Sequence, residues 1–205
     1  MSKYVGQAMK RVEDPRLITG SAKYLEDIQL PGMTHAAVLR SPHAHAKIKS
    51  INTDKAKALA GVVGVFTGKD FAHLNPLPIA WQAGGVKNNA NSPKILETDK
   101  VTHLGTGVAV VVAENRYIAE DALSLIEVEY EVLPAVTNAK KATEPGAPQI
   151  HENAPNNINM EWECGDAAAT DKALGSAEVV VKEHLVNQRL IPTPMEVRGA
   201  IGQYN

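Results

Sequence analysis

The chain has 205 residues, of which 44% are hydrophobic and 21% are charged, and its formal net charge at pH 7 is −2. These values are typical of a globular protein with one or two domains, and they give no support to a protein that binds nucleic acid or an anionic membrane surface. Because Cys164 is the only cysteine, the chain by itself can form neither an internal disulfide nor a cysteine-based metal cluster.

The N-terminal residues lack the apolar stretch of a secretory signal, and the longest apolar run, 108–113, is strand-sized. We therefore expect a cytoplasmic protein. Residues 1–30 are polar and rich in turn-forming residues, and we expect them to form an extended arm.

Hydrophobic patterning predicts alternating strands and helices in the first two thirds of the chain. The predicted strands are 34–40, 47–51, 62–67, 108–113 and 126–132. One predicted helix is capped by Thr53 and ends at Gly61, and a second is capped by Asn115 and runs to about Leu125. The order strand, helix, strand from 108 to 132 suggests a right-handed crossover, although the pairing could be mixed.

Two irregular stretches interrupt this pattern. Residues 68–100 form a loop of a length that usually marks a functional segment or a contact surface. Residues 134–157 contain four prolines and little periodicity, which predicts a domain boundary. After this boundary, Asp166 caps a predicted helix over 167–174, and strands are predicted over 177–186 and 189–205.

His43 and His45 stand two residues apart, a spacing that puts both side chains on one face of an extended segment. Two imidazoles can share a metal ion, but the sequence positions no third ligand beside them. We favour a structural role, in which both rings hold a tight corner between two strands. The other histidines show neither HExxH nor nucleophile spacing; they are His35, His73, His103, His151 and His184.

The glycines do not form a phosphate-binding loop. Gly84 and Gly85 are adjacent within the irregular stretch, and Gly105 and Gly107 precede the 108–113 strand. A dinucleotide-binding fold places its glycines after a strand, where the phosphate meets a helix N-terminus. A nucleotide site is therefore not expected.

An ordered set of motifs resembles the opening of a molybdenum hydroxylase large subunit. The main ones are RVEDPRLITG (11–20), RSPHAHAKI (40–48), VAVVVA (108–113), VEYEVLPA (128–135) and PMEVRGA (194–200). Each motif is weak alone, but the set covers nearly the whole chain in order. The chain is therefore similar to the xanthine dehydrogenase and aldehyde oxidase family, in particular to its carbon monoxide dehydrogenase large-subunit type.

The resemblance implies an α+β fold. It places an N-terminal arm at 1–17, an α/β-hammerhead domain at 18–135, a linker at 136–157 and the truncated start of a molybdopterin-binding domain at 158–205. The family's catalytic and cofactor-binding motifs belong further along a longer chain. No catalytic, cofactor-binding or metal-ligating residue is therefore assigned, and no cofactor is expected in this chain. The complete subunit would hold molybdopterin cytosine dinucleotide.

Two departures from the family pattern stand out. Thr106 and Gly107 occupy positions where the family usually has Glu or Gln followed by Pro, and Val197 replaces a frequent proline. Glycine loosens the backbone where proline would fix its φ angle.

The resemblance implies part of an oxidoreductase that hydroxylates its substrate with water-derived oxygen. The chain would be the N-terminal scaffold of the large subunit and inactive alone. Its partners would be the remainder of that subunit, an iron–sulfur small subunit and an FAD medium subunit, with neither nucleic acid nor membrane involved. The alternative is a non-catalytic binding or assembly module that reuses the hammerhead fold.

Overall fold

A computed structural model describes residues 4–78, 86, 88–89 and 92–204. The chain divides into two compact units, and each is treated separately below. One unit is Thr34–Gly175, and the other combines Met1–Met33 with Ser176–Asn205. Within the described ranges, no helix combines the length and the apolar character needed to cross a bilayer.

The regular elements in the described ranges are short. The strands are β1 (His35–Arg40), β2 (Ala46–Asn52), β3 (Val62–Thr67), β4 (Lys100–Val101), β5 (Gly107–Ala113) and β6 (Glu127–Val132). The helices are α1 (Asp14–Ile18), α2 (Asp54–Lys57), α3 (Arg116–Leu123) and α4 (Ala167–Gly175). Single 3₁₀ turns occur at Leu25–Asp27, Lys141–Thr143 and Pro155–Asn157.

The strands of Thr34–Gly175 form two antiparallel sheets of three strands. The first has the order β1-β5-β3, and the second has the order β4-β2-β6. Because β1 and β3 occupy both edges of β5, that strand cannot also pair with β6. The predicted crossover from β5 through α3 to β6 within one sheet is therefore wrong.

The alternation predicted for β6 is confirmed. Val128 and Tyr130 are half-buried and pack against the core, whereas Glu127 and Glu129 are exposed. Glu131 accepts a hydrogen bond from Lys47 Nζ on β2 at 3.1 Å. The strand therefore has one face packed on protein and one face carrying cross-strand charge pairs.

The main core lies between the first sheet and the helix α3. Ala119 and Ala122 of α3 are fully buried and belong to one apolar cluster with Val111 and Ala113 of β5. Alanine at these positions allows the helix backbone to approach the sheet closely. A second cluster joins residues of both sheets: Ala46, Val101 and Val108.

The residue predicted to cap the helix α3 does so. Asn115 Oδ1 accepts a hydrogen bond from the Ile118 amide at 3.0 Å, which satisfies one of the free donors of the first turn. Thr53 occupies the N-cap position of α2, as predicted, but its side chain makes no capping hydrogen bond. Asn52 Oδ1 instead accepts from the Asp54 amide at 3.0 Å.

The prediction of an extended arm over residues 1–30 is wrong at two places, α1 and the 3₁₀ turn at Leu25–Asp27. Pro15 stands in the first turn of α1, where its fixed φ favours the helix. Ion pairs join Arg11 to Asp14 at 2.9 Å and Arg16 to Glu13 at 2.7 Å. Local helix signals therefore prevail over the turn-rich composition.

The two strands predicted beyond α4 are also wrong. Asp166 Oδ1 accepts from the Ala169 amide at 2.9 Å, as predicted for a cap, and α4 ends at Gly175. The described residues 176–204 contain neither helix nor strand. A strand requires backbone partners, and hydrophobic periodicity does not supply them.

Residues 136–157, predicted to be a linker, are organised around the side chain of Asn157. Its Nδ2 donates to the carbonyls of Ala142 and Pro148, both at 2.9 Å, and its Oδ1 accepts from the Ile150 amide at 2.9 Å. Lys100 Nζ on β4 donates to the Ile150 carbonyl at 2.9 Å. These bonds hold the segment together and attach it to the second sheet. Its role as a boundary between domains stays a prediction.

Replacement of Asn157 by alanine is expected to lower the free energy of unfolding by about 2 kcal/mol, because three hydrogen bonds are lost in a half-buried place. Asn156 provides a matched control, since its φ of 55° is close to the 57° of Asn157. Asn156 is exposed, so Asn156→Ala imposes the same backbone strain without the buried bonds. Denaturant unfolding of both variants measures the difference, and equal losses would contradict the role of the Asn157 side chain.

Candidate functional site

The motif from Arg40 to His45 forms a tight corner between β1 and β2. Ser41 is buried, its amide donates to the Thr106 carbonyl at 2.8 Å, and its carbonyl accepts from the Gly105 amide at 3.0 Å. Ser41 Oγ accepts from the His43 amide at 3.0 Å. The corner is therefore fastened to the chain that leads into β5. We call Ser41–His45, Tyr130 and Pro134 the histidine corner.

The two motif histidines have different partners. The ring of His43 meets the ring of Tyr130 edge to face, with centroids 5.0 Å apart. His45 is 5% exposed, and its Nδ1 lies 2.7 Å from the Pro134 carbonyl oxygen. The His45 carbonyl also accepts from the Leu133 amide at 2.9 Å. These contacts are those of a structural corner that joins β2 to the end of β6.

The partner of His45 determines which ring nitrogen carries the proton. A proline carbonyl can only accept, so Nδ1 is the donor and, in the neutral ring, Nε2 is unprotonated. Nε2 is buried and has no hydrogen-bond partner among the described residues. In the same part of the chain, no group of three or more His, Cys, Asp or Glu side chains is arranged to hold a metal ion.

Burial also affects Tyr130, the other aromatic ring of the histidine corner. Burial raises the pKa of its hydroxyl, and a hydrogen bond with Ser41 partly opposes that shift. The hydroxyl therefore stays protonated at neutral pH and serves as a structural group.

Three clefts, of about 260, 190 and 370 Å³, surround residues 94–99 in the irregular stretch. Glu97 lines the second and third clefts, and Gly68 lines the first and second. Burial raises the pKa of the Glu97 carboxyl and Asp99 adds to the rise, whereas the cations Lys94 and Lys100 oppose it. A carboxyl with a raised pKa can exchange a proton closer to neutral pH.

Sequence reasoning gave Glu97 and Gly68 no role. Both lie in the irregular stretch 68–100, and the length of that stretch indicates a functional segment without identifying any particular residue in it. The interpretation of that stretch as a functional segment stays a prediction. Gly84 and Gly85, the glycine pair considered above, lie outside the described residues.

Other residues weighed in the sequence lie apart from these clefts. Cys164 is exposed. Thr106 is buried, and its Oγ1 donates to the His103 carbonyl at 2.8 Å. A β-carbon at Gly107 would lie 3.2 Å from both Leu96 Cδ2 and Val38 Cγ1. The Thr106-Gly107 departure from the family pattern therefore coincides with close packing at the start of β5.

His151 stands in the third cleft and is half-buried. Burial lowers the pKa of its ring, and the nearby groups Lys100, His45 and His103 lower it further. A protonated His151 would add a positive charge to a place that already holds the Lys100 ammonium group.

We expect the chain to lose stability as the pH falls below about 6.5, partly through His151. The pKa of the His151 ring is lower in the folded chain than in the unfolded chain. The unfolded chain therefore binds more protons in this pH range. The stability that His151 contributes is present above the unfolded pKa and is lost as the pH decreases through the folded pKa. His151→Gln should reduce this loss, and His73→Gln, at an exposed histidine, should not. Denaturant unfolding between about pH 7.5 and 5.5 checks this; an unchanged slope in His151→Gln would contradict it.

Comparison with known proteins identifies this architecture. A family model described as the a/b hammerhead domain of aldehyde oxidase and xanthine dehydrogenase matches residues 19–134. The carbon monoxide dehydrogenase large chain of Afipia carboxidovorans is 40% identical over 94% of this chain and 24% of its own length. The nicotine 6-hydroxylase large subunit of Paenarthrobacter nicotinovorans is 36% identical over 98% of this chain and 24% of its own length.

Solved structures agree with the sequence matches. A crystal structure of a Cu,Mo-CO dehydrogenase superposes with a TM-score of 0.70 at 40% identity, over 85% of this chain and 23% of that one. Quinoline 2-oxidoreductase from Pseudomonas putida 86 gives a TM-score of 0.63 at 44% identity, over 72% of this chain and 19% of that one. The chain thus spans about a quarter of the length of the curated relatives that it matches.

Proposed function

The chain belongs to the aldehyde oxidase and xanthine dehydrogenase family, and on that premise we propose that it is the N-terminal scaffold of a molybdenum-binding large subunit. The observation that carries the proposal is the near-complete match of this chain to one quarter of large subunits that are oxidoreductases. The hammerhead fold and the structural likeness to Cu,Mo-CO dehydrogenase support it.

The contacts of the described residues support the scaffold role. The histidine corner joins β1 to β2, α3 packs on the first sheet, and the Asn157 network attaches 136–157 to the second sheet. These are contacts that fix the position of chain segments. In the proposed enzyme, such contacts would hold this unit in place for the rest of the subunit.

The proposal extends to the complete enzyme. Its large subunit would hold molybdopterin cytosine dinucleotide, hydroxylate a substrate with water-derived oxygen, and work in the cytoplasm. Electrons would pass to an iron–sulfur small subunit and an FAD medium subunit, which with the remainder of the large subunit would be the partners of this chain.

The described residues do not fit a molybdenum cofactor by themselves. They contain no group of three or more side chains that could hold a metal ion, and the unpartnered Nε2 of His45 is a single buried nitrogen.

The isolated chain is expected to retain no molybdenum and to oxidise no aldehyde or purine, because the resemblance assigns the cofactor-binding and catalytic motifs to the rest of the subunit. Metal analysis and dye-reduction assays of the purified 205-residue chain check this. Stoichiometric molybdenum in the isolated chain would contradict the assignment of the cofactor to the rest of the subunit.

A chimera tests the scaffold role directly. This chain would replace the matching N-terminal quarter of the Afipia carboxidovorans carbon monoxide dehydrogenase large chain, expressed in that organism. We expect an assembled chimera that contains molybdenum and oxidises carbon monoxide. A soluble chimera without molybdenum would favour the alternative, a non-catalytic binding module. That alternative has one observation in its favour: Thr34–Gly175 is a compact unit with its own core.

A further inference from the structure

The turn 149–154 borders the third cleft and is fastened to the second sheet. Within the turn, Gln149 Nε2 donates to the carbonyls of His151 and Ala154, and the Ala154 amide donates to the His151 carbonyl at 3.2 Å. Ala154 is only 4% exposed. Lys100 Nζ, on β4, donates to the Ile150 carbonyl at 2.9 Å. We call this last bond the lysine latch.

The lysine latch places a positive charge beside His151. The Ile150 carbonyl belongs to the peptide bond that joins Ile150 to His151, so the Lys100 ammonium group lies within about 5 Å of the His151 amide nitrogen. Lys100 and His151 are both half-buried and line the same cleft. Water and salt therefore screen a charge on one from a charge on the other less than they would at an exposed place.

The groups that act on the His151 ring all disfavour its protonated form. Burial lowers the pKa of the ring most, and Lys100, His45 and His103 lower it further. Lys100 is on β4, His45 precedes β2 by one residue, and His103 follows β4 by two residues. No carboxylate of the described chain opposes this fall in the pKa. Protonation of His151 therefore adds repulsion at the place where the latch closes.

The other charged groups that line the third cleft are Lys94, Glu97, Asp99 and Glu152. The Asp99 carboxylate already accepts hydrogen bonds from Lys94 Nζ and from Thr98 Oγ1. Burial raises the pKa of Glu97, which disfavours its charged form, and Glu152 is exposed, where water screens its charge. These carboxylates are thus poorly placed to neutralise a protonated His151.

We propose that the lysine latch is an acid-sensitive switch, in which protonation of His151 repels the Lys100 ammonium group and releases the turn 149–154 from β4. At neutral pH the latch and the burial of Ala154 keep the turn closed. Only the side chain of Lys100 takes part, so the backbone pairing of β4 with β2 stays intact. The switch therefore acts on the segment 136–157 without unfolding either sheet.

The direction of the switch follows from the two pKa values of His151. In the closed turn the pKa lies below its ordinary value of 6.5, whereas a ring exposed to water in the open turn regains about that value. The open turn therefore binds the proton more tightly, and its population increases as the pH decreases below about 6.5. One proton changes an equilibrium by at most about tenfold per pH unit, so we expect about threefold to tenfold more opening at pH 5.5 than at pH 7.5.

Amide hydrogen exchange of the 205-residue chain measures the opening. Protection factors, which compare each rate with that of an unstructured peptide at the same pH, should fall about threefold to tenfold between pH 7.5 and 5.5 for three amides bonded within the segment: Ile150, Ala154 and Asn157. His151→Gln should remove most of this fall, and His73→Gln, at an exposed histidine, should not. Amides of β5 should stay better protected than these three at both pH values, because the opening is local.

Lys100→Met tests the repulsion itself. The variant lacks the bond to Ile150, so protection of the segment should be lower at pH 7.5, and it lacks the positive charge, so the fall towards pH 5.5 should be smaller. Lys141→Met removes an exposed lysine of the same segment and should change neither quantity. A fall of wild-type size in His151→Gln would overturn the proposal. So would an unchanged fall in Lys100→Met, or equal protection of the segment and of β5.

Discussion

Gly68→Ala is expected to lower the free energy of unfolding by about 3 kcal/mol, because a new methyl group would collide with backbone atoms that have no room to move. A β-carbon at Gly68 would lie 2.7 Å from the Leu96 carbonyl oxygen and 2.9 Å from the Glu97 carbonyl oxygen. Gly68 is buried, and the neighbouring segment is itself attached to β5, since the Glu97 amide donates to the Gly107 carbonyl at 3.0 Å. Relief of the collision therefore requires displacement of a hydrogen-bonded segment.

Gly64→Ala, on the strand β3 that leads to Gly68, provides the matched control. A β-carbon at Gly64 would lie 2.9 Å from a ring carbon of Phe66, which is an exposed side chain that can rotate. We expect this variant to lose less than about 1 kcal/mol. Urea unfolding of both variants checks the comparison. Similar losses would show that the approach of residues 96–97 to Gly68 is not what makes the position sensitive.

His45→Ala is expected to lower the free energy of unfolding by about 2–3 kcal/mol, because it removes a buried ring and leaves the Pro134 carbonyl without its donor. That donor, Nδ1, lies 2.7 Å from the carbonyl oxygen. His45→Asn keeps an N–H near the position of Nδ1 and should lose less. His43→Ala removes only an edge contact with Tyr130 and should lose about 1 kcal/mol. Equal losses in the three variants would contradict the structural assignment of the His45 hydrogen bond.

Added zinc is expected to leave the melting temperature of the chain unchanged. A metal that binds only the folded chain would raise it by mass action. The measurement is a thermal scan with and without Zn²⁺, on the wild-type chain and on His43→Ala. A zinc-dependent rise that disappears in His43→Ala would restore the metal-site interpretation of the two motif histidines.

Part of the histidine corner could be predicted from the sequence. The motif and the spacing of its two histidines were sufficient to favour a structural corner over a metal site. The acceptor for His45 was not predictable, because Pro134 is 89 residues away along the chain. Glu97 illustrates the same limit, since its raised pKa results from burial by segments that only the fold brings together.

The elements with local signals were predictable from the amino-acid pattern alone. Strands β1, β2, β3, β5 and β6, the cap of α3 at Asn115 and the cap of α4 at Asp166 all follow from patterns within a few residues. The ordered motifs determined the family in the same way. The pairing of the strands, in contrast, became known only from the fold: β5 lies between β1 and β3, and residues 177–186 form no strand despite a favourable pattern. The physical reason is that a strand is stabilised by backbone groups of other segments, and the sequence of one segment does not contain its partners.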